Sequence, residues 1–555
     1  MTAYDYPLIL KYVLTSGVNW APDQEILYRD QFRYTYKDMY RRVLSLAGAF
    51  QQAGIRKGSR VGVMEWDSHR FLEMYFAIPG VGAVMHTVNP RLAPSDVAYT
   101  INHAEDEVLI FNEDFLPLVD GICPHLKTVK KYILISDQGN KPQAGFEYET
   151  YDEFIANAKP LDELPDFEES TQATLSYTTG TTGKPKGVYF SHRQMVLHTL
   201  SVGVCMGGFT DFGGITKRDV YMPLTPLFHV HGWGIPYIAT MMGMKQIYPG
   251  RYEPAMLLKL ISEEKVTFSH CVPTILQMIT NSPAARQFDL SNWKVIIGGA
   301  RLPKGLAMEA KELGINVSSG YGMSETAPVL TLAYLKPYMD EWDEDAKLDT
   351  FVKTGVPIPL VNLRVVNESG KDVAHNGTER GEVVVRSPWL TPGYYKDPEL
   401  SEFLWDGGWL HTGDVASVDE HGYVQIVDRL KDVIKSGGEW ISSLDLENLL
   451  SMHAGVQEVA VIGIPDAVWG ERPLPIIVPK PEFKGKLTPE DLRAHLQQYV
   501  DQGTITKWAV PEKFSFVDEL PKTSVGKLDK KALRATQASA SESGAAPAET
   551  AGQTS

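Results

Sequence analysis

A stretch rich in glycine and threonine, residues 177–191 (YTTGTTGKPKGVYFS), constrains this chain more than any other segment. The short apolar runs at 173–176 and 188–190 predict a strand on each side of it, and Ser191 is a candidate N-cap for a following helix. Glycine lets backbone N–H groups approach an anion closely, threonine hydroxyls donate hydrogen bonds, and lysine supplies positive charge. The pattern therefore predicts a phosphate-binding loop between two strands.

The loop fits neither of two common nucleotide-binding motifs. Pro185 follows Gly183-Lys184, where a Walker A loop has serine or threonine. The chain also has no strand–GxGxxG–helix unit with a downstream acid, which is the dinucleotide-binding fingerprint. Composition alone leaves a surface hairpin rich in glycine and threonine as the alternative.

Length and composition indicate a globular protein of two or more domains. The chain has 555 residues, 43% hydrophobic and 22% charged, and a formal net charge of −16. Such an acidic balance argues against nucleic acid or an anionic membrane as the main partner. The cysteines (Cys123, Cys205 and Cys271) form no CxxC motif, which predicts a cytoplasmic protein without structural zinc. The sequence predicts neither a signal peptide nor a transmembrane segment.

Strand and helix signals alternate along the first 160 residues and predict a layered α/β architecture. Strands are expected at 60–64, 83–88 and 108–111, with a helix at 68–78. An acidic linker, residues 161–171, leads to the predicted phosphate loop. Further short strands are expected at 295–297, 379–386, 424–427 and 433–434, and residues 433–533 predict a smaller α/β domain whose first helix is capped near Ser442.

Residues 221–237 (YMPLTPLFHVHGWGIPY) carry two histidines among prolines, glycines and aromatic residues. Prolines and glycines exclude a regular helix at the start of this segment. His229 and His231 are two positions apart, so an extended segment would place both on one face. As metal ligands they would need a third partner, and a structural role or a place in a substrate-pocket wall is favoured.

Three further motifs carry polar chemistry. Residues 317–326 (VSSGYGMSET) offer the ring of Tyr321 for stacking, a hard carboxylate at Glu325 and the hydroxyl of Thr326. In residues 408–414 (GWLHTGD), Asp414 can accept hydrogen bonds from two vicinal hydroxyls, although an Asx-turn in a hairpin is the alternative for an isolated motif.

The third motif, residues 428–432 (DRLKD), lies between two apolar strand candidates, where a solvated connector is the simplest interpretation. Near the end of the chain, residues 521–528 (PKTSVGKL) place Lys527 after Gly526 on a turn. A lysine on such a turn is ordinarily solvated.

The string TTGTTGKPKGV followed by Ser-His, with the other motifs in the same order up to Lys527, resembles the adenylate-forming superfamily. This superfamily includes acyl-CoA synthetases, aryl-CoA ligases, peptide-synthetase adenylation domains and firefly-type luciferases. The string IKSGGEWISSLDLEN is most similar to bacterial medium- and long-chain fatty-acyl-CoA synthetases. The resemblance implies an N-terminal α/β domain at 1–428, a hinge at 429–432, a mobile C-terminal α/β domain at 433–535 and a disordered tail at 536–555.

The resemblance also implies a two-step ligase reaction. The expected substrate is a carboxylic acid, with a medium- or long-chain fatty acid favoured. Its carboxylate attacks the α-phosphate of ATP in the presence of Mg²⁺, giving acyl-AMP and pyrophosphate. The thiol of CoA then takes the acyl group and releases AMP. Alternatives are a short-chain, sulfur-containing or aryl acid, a carrier protein as acceptor, and a nucleotide-binding protein without catalysis. Relatives in this superfamily often form homodimers.

Site residues follow from the same resemblance, position by position. The implied catalytic residues are Lys527, Glu325, Thr178 and Arg429, with Thr178 and Glu325 as Mg²⁺ ligands. The implied nucleotide-binding residues are Thr178, Thr179, Gly180, Thr181, Thr182, Gly183, Lys186, Gly299, Ala300, Ser319, Gly320, Tyr321, Gly322, Thr326, Asp414, Arg429 and Lys435. The hinge and CoA-facing residues are Lys431, Gly437, Gly438 and Trp440. The acyl pocket is implied at His229, His231, Trp233 (a gating position), Gly298 and Met323.

Overall fold

A computed structural model of the protein describes residues 4–178, 184–212, 214–430, 432–436, 439–466, 468–502, 504–522 and 528–542. At residues 435, 439, 440 and 538–542 the description is confined to the backbone. The strands are β1 (Glu25–Tyr28), β2 (Phe32–Thr35), β3 (Arg60–Met64), β4 (Val84–Thr87), β5 (Val108–Asn112), β6 (Lys131–Ile135), β7 (Glu149–Thr150), β8 (Gln172–Thr178), β9 (Lys186–Ser191), β10 (Val220–Tyr221), β11 (Lys245–Tyr248), β12 (Phe268–Cys271), β13 (Lys294–Ile297), β14 (Asn316–Gly322), β15 (Val329–Leu332), β16 (Val356–Pro357), β17 (Asn362–Val366), β18 (Gly381–Arg386), β19 (Leu410–Val418), β20 (Val424–Arg429), β21 (Ile434–Ser436), β22 (Glu439–Ile441), β23 (Val456–Asp466), β24 (Gly470–Pro479) and β25 (Ser515–Phe516). The α-helices are α1 (Leu10–Trp20), α2 (Tyr36–Gln52), α3 (His69–Gly80), α4 (Pro94–Ala104), α5 (Leu116–Ile122), α6 (Tyr151–Ala156), α7 (His192–Gly208), α8 (Ile235–Met242), α9 (Pro254–Glu263), α10 (Pro273–Thr280), α11 (Lys304–Glu312), α12 (Glu344–Phe351), α13 (Pro398–Leu404), α14 (Ser443–Ser451), α15 (Pro489–Asp501) and α16 (Lys530–Glu542).

The first sheet contains the two strands that flank the predicted phosphate loop. Its order is β7-β6-β5-β3-β4-β8-β9, and its neighbouring strands are parallel except for β8 and β9. Parallel neighbours need a crossover connection, which α3, α4 and α5 supply in turn. The strands predicted at 60–64, 83–88 and 108–111 are confirmed as β3, β4 and β5, and the helix predicted at 68–78 as α3.

The second sheet has the order β16-β15-β14-β13-β12-β10-β11-β1-β2. Its central strands, from β14 to β1, run parallel, and the pairs at both ends are antiparallel. Carboxyl ends of parallel strands meet at one edge of a sheet, where open α/β folds bind ligands. Gly298, which follows β13, and Tyr321, near the end of β14, lie at this edge.

The third sheet, β17-β18-β19-β20, is antiparallel and completes the large N-terminal part of the chain. The smaller C-terminal domain has a sheet of order β22-β21-β24-β23, with β25 beside β24, and its own apolar core. The two parts touch through Arg301 and Asp445, which form an ion pair of 2.7 Å. The predicted fold class, a large α/β domain followed by a small one, is confirmed.

The structure differs from the sequence prediction at the first residues of the predicted tail. Residues 536–542 continue helix α16 rather than starting a disordered segment, so that part of the prediction is wrong. Alanine is the strongest helix former, and the helix is anchored by Leu533 in the core and by an ion pair of 2.7 Å between Arg534 and Asp432. Residues 543–555 lie outside the described part of the chain.

None of the helices in the described part of the chain combines the length and the apolar character needed to cross a lipid bilayer.

Helix α1 packs closely against α8 because Gly17 has no side chain. A Cβ atom at Gly17 would lie 1.9 Å from the carbonyl oxygen of Thr240 and 3.1 Å from the ring of Tyr36. The Tyr36 hydroxyl, fully buried beside this contact, donates to the carbonyl of Met244 at 2.7 Å. The approach of these helices therefore depends on glycine at one position.

We predict that Gly17→Ala lowers the free energy of unfolding by about 2 kcal/mol or more, because overpacking against backbone cannot be relieved by a rotamer change. Gly121→Ala is the matched control: Gly121 is also helical, a Cβ there meets nothing within 4 Å, and we expect a gain of roughly 0.5 kcal/mol from helix propensity. Urea denaturation of both variants measures the difference. Equal midpoints would contradict the packing argument.

Candidate active site

The strand pair β8 and β9 places the two ends of the predicted phosphate loop side by side. Thr178, at the end of β8, is the cross-strand partner of Lys186, the first residue of β9. Residues Thr179, Gly180, Thr181, Thr182 and Gly183 lie outside the described part of the chain. The helix predicted after Ser191 is confirmed, with a capping box between Ser191 and Gln194.

Both lysines beside the loop lie over tyrosine rings. Lys184 Nζ is 4.6 Å from the centre of the Tyr99 ring, and Lys186 Nζ is 4.8 Å from the centre of the Tyr394 ring. An ammonium group on an aromatic face is attracted by the ring quadrupole and keeps its charge. The Tyr394 ring therefore orients Lys186, and no carboxylate among the described residues forms an ion pair with it.

A polar cluster of Tyr177, His103, His86 and Asp106 packs against β8. The Tyr177 hydroxyl and His103 Nδ1 are 2.8 Å apart, and the Tyr177 ring contacts that of His86. His86 Nδ1 in turn lies 2.6 Å from Asp106 Oδ2, and both side chains are fully buried. Burial raises the pKa of Asp106, while contact with His86 acts in the opposite direction. These contacts fix the strand that leads into the loop.

The turn that follows β14 carries Glu325 into the same region. Gly322 is required here, because a Cβ would lie 1.7 Å from the carbonyl oxygen of Pro328. The Thr326 hydroxyl accepts from the Met323 N–H at 3.1 Å and also donates to the Pro328 carbonyl. The described partners of Thr326 are thus backbone groups of its own turn.

Glu325 is nearly fully buried and hydrogen-bonded. Its Oε1 atom accepts from the Tyr394 hydroxyl at 2.8 Å. Burial raises the pKa of Glu325, whereas the hydrogen bond from Tyr394 and the positive charges of Arg429 and Lys186 favour its ionised form. The arrangement holds a carboxylate next to the strand that carries Lys186.

Asp414 joins the second and third sheets. Its Oδ2 atom accepts from the Tyr321 hydroxyl at 2.7 Å, and its Oδ1 atom lies 3.1 Å from Arg429 Nε. Asp414 and Arg429 are also cross-strand partners on β19 and β20. The Asx-turn considered as an alternative occurs instead at Asp419, which accepts from two backbone N–H groups. Three residues predicted for one nucleotide site are therefore linked side chain to side chain.

In the predicted hinge segment Arg429 and Leu430 are exposed, as in a solvated connector, whereas Asp428 before them is buried. Asp428 is 2% exposed, and its Oδ2 atom accepts a hydrogen bond from the Ser443 N–H at 2.9 Å. Lys530 Nζ lies 2.8 Å from Glu447 Oε1 and 2.6 Å from the Ser443 hydroxyl. Burial raises the pKa of Glu447, and the nearby charge of Lys530 lowers it. Charged groups from both sides of the predicted hinge thus share one network.

Several predicted residues of the hinge and the small domain cannot be placed. Lys431, Gly437, Gly438 and Lys527 lie outside the described residues. Lys435 and Trp440 are described by backbone alone and face each other as cross-strand partners on β21 and β22.

The predicted acyl segment forms a left-handed turn. Residues Val230–Gly234 all have positive φ, including 59° at His231 and at Trp233. The expectation that His229 and His231 share a face of an extended segment is wrong, because only His229 has extended backbone. A left-handed conformation costs about 1–2 kcal/mol for each residue with a side chain, so surrounding contacts must hold this turn.

Trp233 lies beside Gly298, at the carboxyl end of β13. A Cβ atom at Gly298 would come within 2.9 Å of the indole Cη2. The indole is 7% exposed and its centre is 5.1 Å from that of the His270 ring. Neither ring nitrogen of His231 has a hydrogen-bond partner among the described residues, and burial lowers its pKa to about 3.

The remaining predicted residues line the same sheet edge. Gly299 and Ala300 follow Gly298 directly, and Gly299 has a φ of 74°. Gly320 has no room for a Cβ, which would lie 2.9 Å from Leu332 Cδ2. The buried hydroxyl of Ser319 has no partner among the described residues, and Met323 packs on the edge of the core.

Sequence reasoning did not single out Tyr394, which contacts both Lys186 and Glu325. The available signal was the run Pro392-Gly393-Tyr394-Tyr395, a turn with two aromatic residues in a polar stretch. Such a turn is common on protein surfaces, so only its position beside β9 makes it notable.

Comparison with known proteins identifies the family. The family described as AMP-binding enzyme matches residues 15–395, and the AMP-binding enzyme C-terminal domain matches residues 445–527. A long-chain-fatty-acid–CoA ligase from Thermus thermophilus is 42% identical over 505 residues, covering 90% of each chain. A 3-methylmercaptopropionyl-CoA ligase from Ruegeria pomeroyi is 39% identical over 496 residues, covering 88% of this chain and 89% of the relative.

Solved structures agree with this assignment. The crystal structure of the anthranilate CoA ligase AuaEII in complex with anthranoyl-AMP matches with a TM-score of 0.84 and 27% identity, covering 98% of this chain and 100% of that one. The fold and its relatives define an acid–thiol ligase that carries out ATP-dependent acyl-CoA ligation. The chain belongs to the AMP-binding enzyme family, and the predicted resemblance to adenylate-forming enzymes is confirmed.

We predict that Asp414→Asn weakens ATP binding about 10- to 100-fold, because a hydrogen bond to a charged group contributes roughly 1.5–3 kcal/mol. Asp419→Asn is the control from the same hairpin. Asp419 accepts from the backbone of His421 and Tyr423 and pairs with Lys353. We expect its loss to lower thermal stability and leave ATP affinity unchanged. Calorimetric titration with ATP separates the two, and equal affinities would count against a ribose site at Asp414.

Proposed function

We propose that the enzyme activates a medium- or long-chain fatty acid as acyl-AMP and then transfers the acyl group to CoA. The first step brings together two anions, a carboxylate and the α-phosphate, and so needs concentrated positive charge. We assign this task to Lys527, with Lys186 holding the β- and γ-phosphates. Support comes from the pairing of β8 and β9, which sets Thr178 opposite Lys186.

The nucleotide site is proposed at the ends of β14 and β20 and at the middle of β19. The Tyr321 ring would stack on adenine, and Asp414 and Arg429 would bind the ribose hydroxyls. Asp414 contacts the Tyr321 hydroxyl with one oxygen and Arg429 with the other. These contacts support the assignment because they fix the positions of the three side chains. Gly322 packs directly against the Pro328 backbone and so keeps the turn after β14 compact.

Residues suited to Mg²⁺ are present beside the proposed phosphate site. Glu325 and Thr178 offer a carboxylate and a hydroxyl oxygen, the hard donors that Mg²⁺ prefers. When bound, the ion would neutralise charge that develops on the leaving pyrophosphate. The hydrogen bond from the Tyr394 hydroxyl fixes the orientation of the Glu325 carboxylate.

The acyl pocket is proposed where Trp233 covers Gly298. The next strand brings Gly320 beside Gly298, and Ile296 and Leu332, both almost completely buried, pack against Gly320. Gly298 has no side chain, so movement of the indole would open a path for an alkyl chain at this position, whereas Leu332 fills the space beside Gly320. This single observation carries the proposal of an aliphatic acid.

A short, sulfur-containing acid is the second candidate. Behind Trp233 lies a polar pair, Tyr221 and His270, whose hydroxyl and Nε2 atoms are 2.9 Å apart. A long alkyl chain that passed Trp233 would meet these polar groups, whereas a short acid would stop before them. The relative that ligates 3-methylmercaptopropionate to CoA supports the same candidate.

The second step is proposed to follow a rotation of the small domain about Lys431. A different face, carrying Gly437, Gly438 and Trp440, would then approach the acyl-adenylate and the pantetheine of CoA. The domain bounds proposed are 1–428, 429–432 and 433–535. We also propose that the enzyme acts in the cytoplasm, supported by the scattered cysteines.

A panel of acids from propionate to palmitate, with 3-methylmercaptopropionate, benzoate and phenylacetate, tests the substrate class. We expect the highest kcat/KM for aliphatic acids of medium or greater length, and a shift of the optimum to longer chains in Trp233→Ala. Trp20→Ala, which removes an indole that is 73% exposed, is the control. Thioester and AMP are the readouts. An optimum at 3-methylmercaptopropionate would select the second candidate, and pyrophosphate without thioester would indicate a carrier-protein acceptor.

Lys527→Ala is expected to abolish adenylate formation while leaving thioester formation from supplied acyl-AMP largely intact, because the lysine acts on the first step alone. Lys522→Ala is the matched control from the same segment, where Lys522 pairs with Glu458 at 3.1 Å. Pyrophosphate release and thioester formation are measured separately. Equal loss of both steps would contradict a rotating small domain with two working faces.

A further inference from the structure

Tyr394 contacts two side chains that belong to different parts of the proposed ATP site. Its hydroxyl donates to Glu325 Oε1 at 2.8 Å, and Lys186 Nζ lies 4.8 Å from the centre of its ring. A tyrosine has an electron-rich face and a polar tip, so one side chain can hold a cation and an anion at separate points. Glu325 lies on the turn after β14, and Lys186 begins β9.

The backbone around Tyr394 is bound to both of these elements. Tyr394 forms an isolated antiparallel bridge with Val188 of β9. The Thr391 N–H donates to the carbonyl oxygen of Glu325 at 2.8 Å. The segment that carries Tyr394 thus connects the exit of the phosphate loop to the turn of the proposed metal ligand.

The start of helix α13 fixes the conformation of this segment. The Tyr394 N–H donates to the Ser401 hydroxyl at 2.9 Å, and Asp397 caps the helix by accepting from the Leu400 N–H at 3.1 Å. A Cβ atom at Gly393 would lie 2.5 Å from Ser401 Oγ, so this turn requires glycine. The ring of Tyr394 is therefore presented from a rigid support.

Separating the cation from the anion has a chemical consequence. A lysine paired directly with Glu325 would be withdrawn from phosphate, because a charge-assisted hydrogen bond is stronger than a contact with a ring. On the ring face, Lys186 is oriented while its N–H donors stay available to an incoming phosphate. At the same time the hydroxyl holds one oxygen of the buried carboxylate in a defined direction.

We infer that Tyr394 is a positioning residue for the adenylation step, which orients Lys186 toward the phosphates of ATP through its ring and Glu325 toward a divalent cation through its hydroxyl. The inference rests on the roles proposed above for Lys186 and Glu325. Tyr394 is assigned to act through these two side chains.

The test uses the full-length enzyme and the variants Tyr394→Phe and Tyr394→Leu. The probe is Mn²⁺, titrated by electron paramagnetic resonance in the presence of an ATP analogue that cannot be cleaved between the α- and β-phosphates. Tyr394→Phe is expected to weaken Mn²⁺ binding about tenfold, the size associated with a hydrogen bond to a charged group. AMP binding without metal, measured by calorimetry, is expected to stay unchanged.

The leucine variant separates the ring from the hydroxyl. Tyr394→Leu should weaken binding of the analogue by a further factor of about three, in line with a partly exposed cation–π contact. In a Lys186→Gln background this additional loss should disappear, because the partner of the ring is already gone. Tyr395→Phe, which removes a hydroxyl from the next residue in the same segment, should bind Mn²⁺, analogue and AMP like the wild type.

The outcomes distinguish this inference from the proposed function. Wild-type Mn²⁺ affinity in Tyr394→Phe would overturn the inference alone, and so would an equal loss of AMP binding, which would indicate a purely structural role. Failure of the wild-type enzyme to bind Mn²⁺ with the analogue would instead remove the proposed metal site, and the inference with it. If Tyr394→Leu does not fold, Tyr394→Phe decides the question, because it keeps the ring and its packing.

Discussion

The antiparallel pairing of β8 with β9 determines the positions of Thr178 and Lys186, the residues on either side of the glycine-rich loop. The pairing sets Thr178 opposite Lys186, so the loop between them starts and ends at fixed points. Tyr177 of β8 contacts His86 and His103, which fixes this strand. Tyr394 forms a bridge with Val188 along the free edge of β9.

Buried charges join the separate sheets around this loop. Asp414 connects Tyr321 of the second sheet with Arg429 of the third, and Tyr394 connects Glu325 with β9. Burying a carboxylate is unfavourable unless donors surround it, so each of these contacts ties the placement of one element to another. The same principle acts at the junction of the domains, where Asp428, Glu447 and Lys530 share a network. Rotation of the small domain would have to rearrange those charges.

The left-handed turn at Val230–Gly234 concentrates backbone strain in the segment that we propose lines the acyl pocket. Its backbone is costly for residues with side chains, and the turn places Trp233 on Gly298 and leaves the buried nitrogens of His231 without partners among the described residues. Such a segment persists only because α7, β9 and the second sheet pack around it. A modest change in one of these contacts would therefore alter the conformation of this turn.

The sequence by itself was enough to predict the α/β architecture, the strands from β3 to β5, the helix cap at Ser191 and the enzyme class, because these depend on local periodicity and on short strings of residues. The prediction of disorder at residues 536–542 was wrong, because an alanine-rich sequence also forms a helix readily once Leu533 and Arg534 anchor it. The conformation of His231 and the role of Tyr394 could not be read from the chain. Left-handed backbone and the meeting of Tyr394 with Glu325 and Lys186 arise from packing between segments that are distant in sequence, and only the tertiary structure brings those segments together.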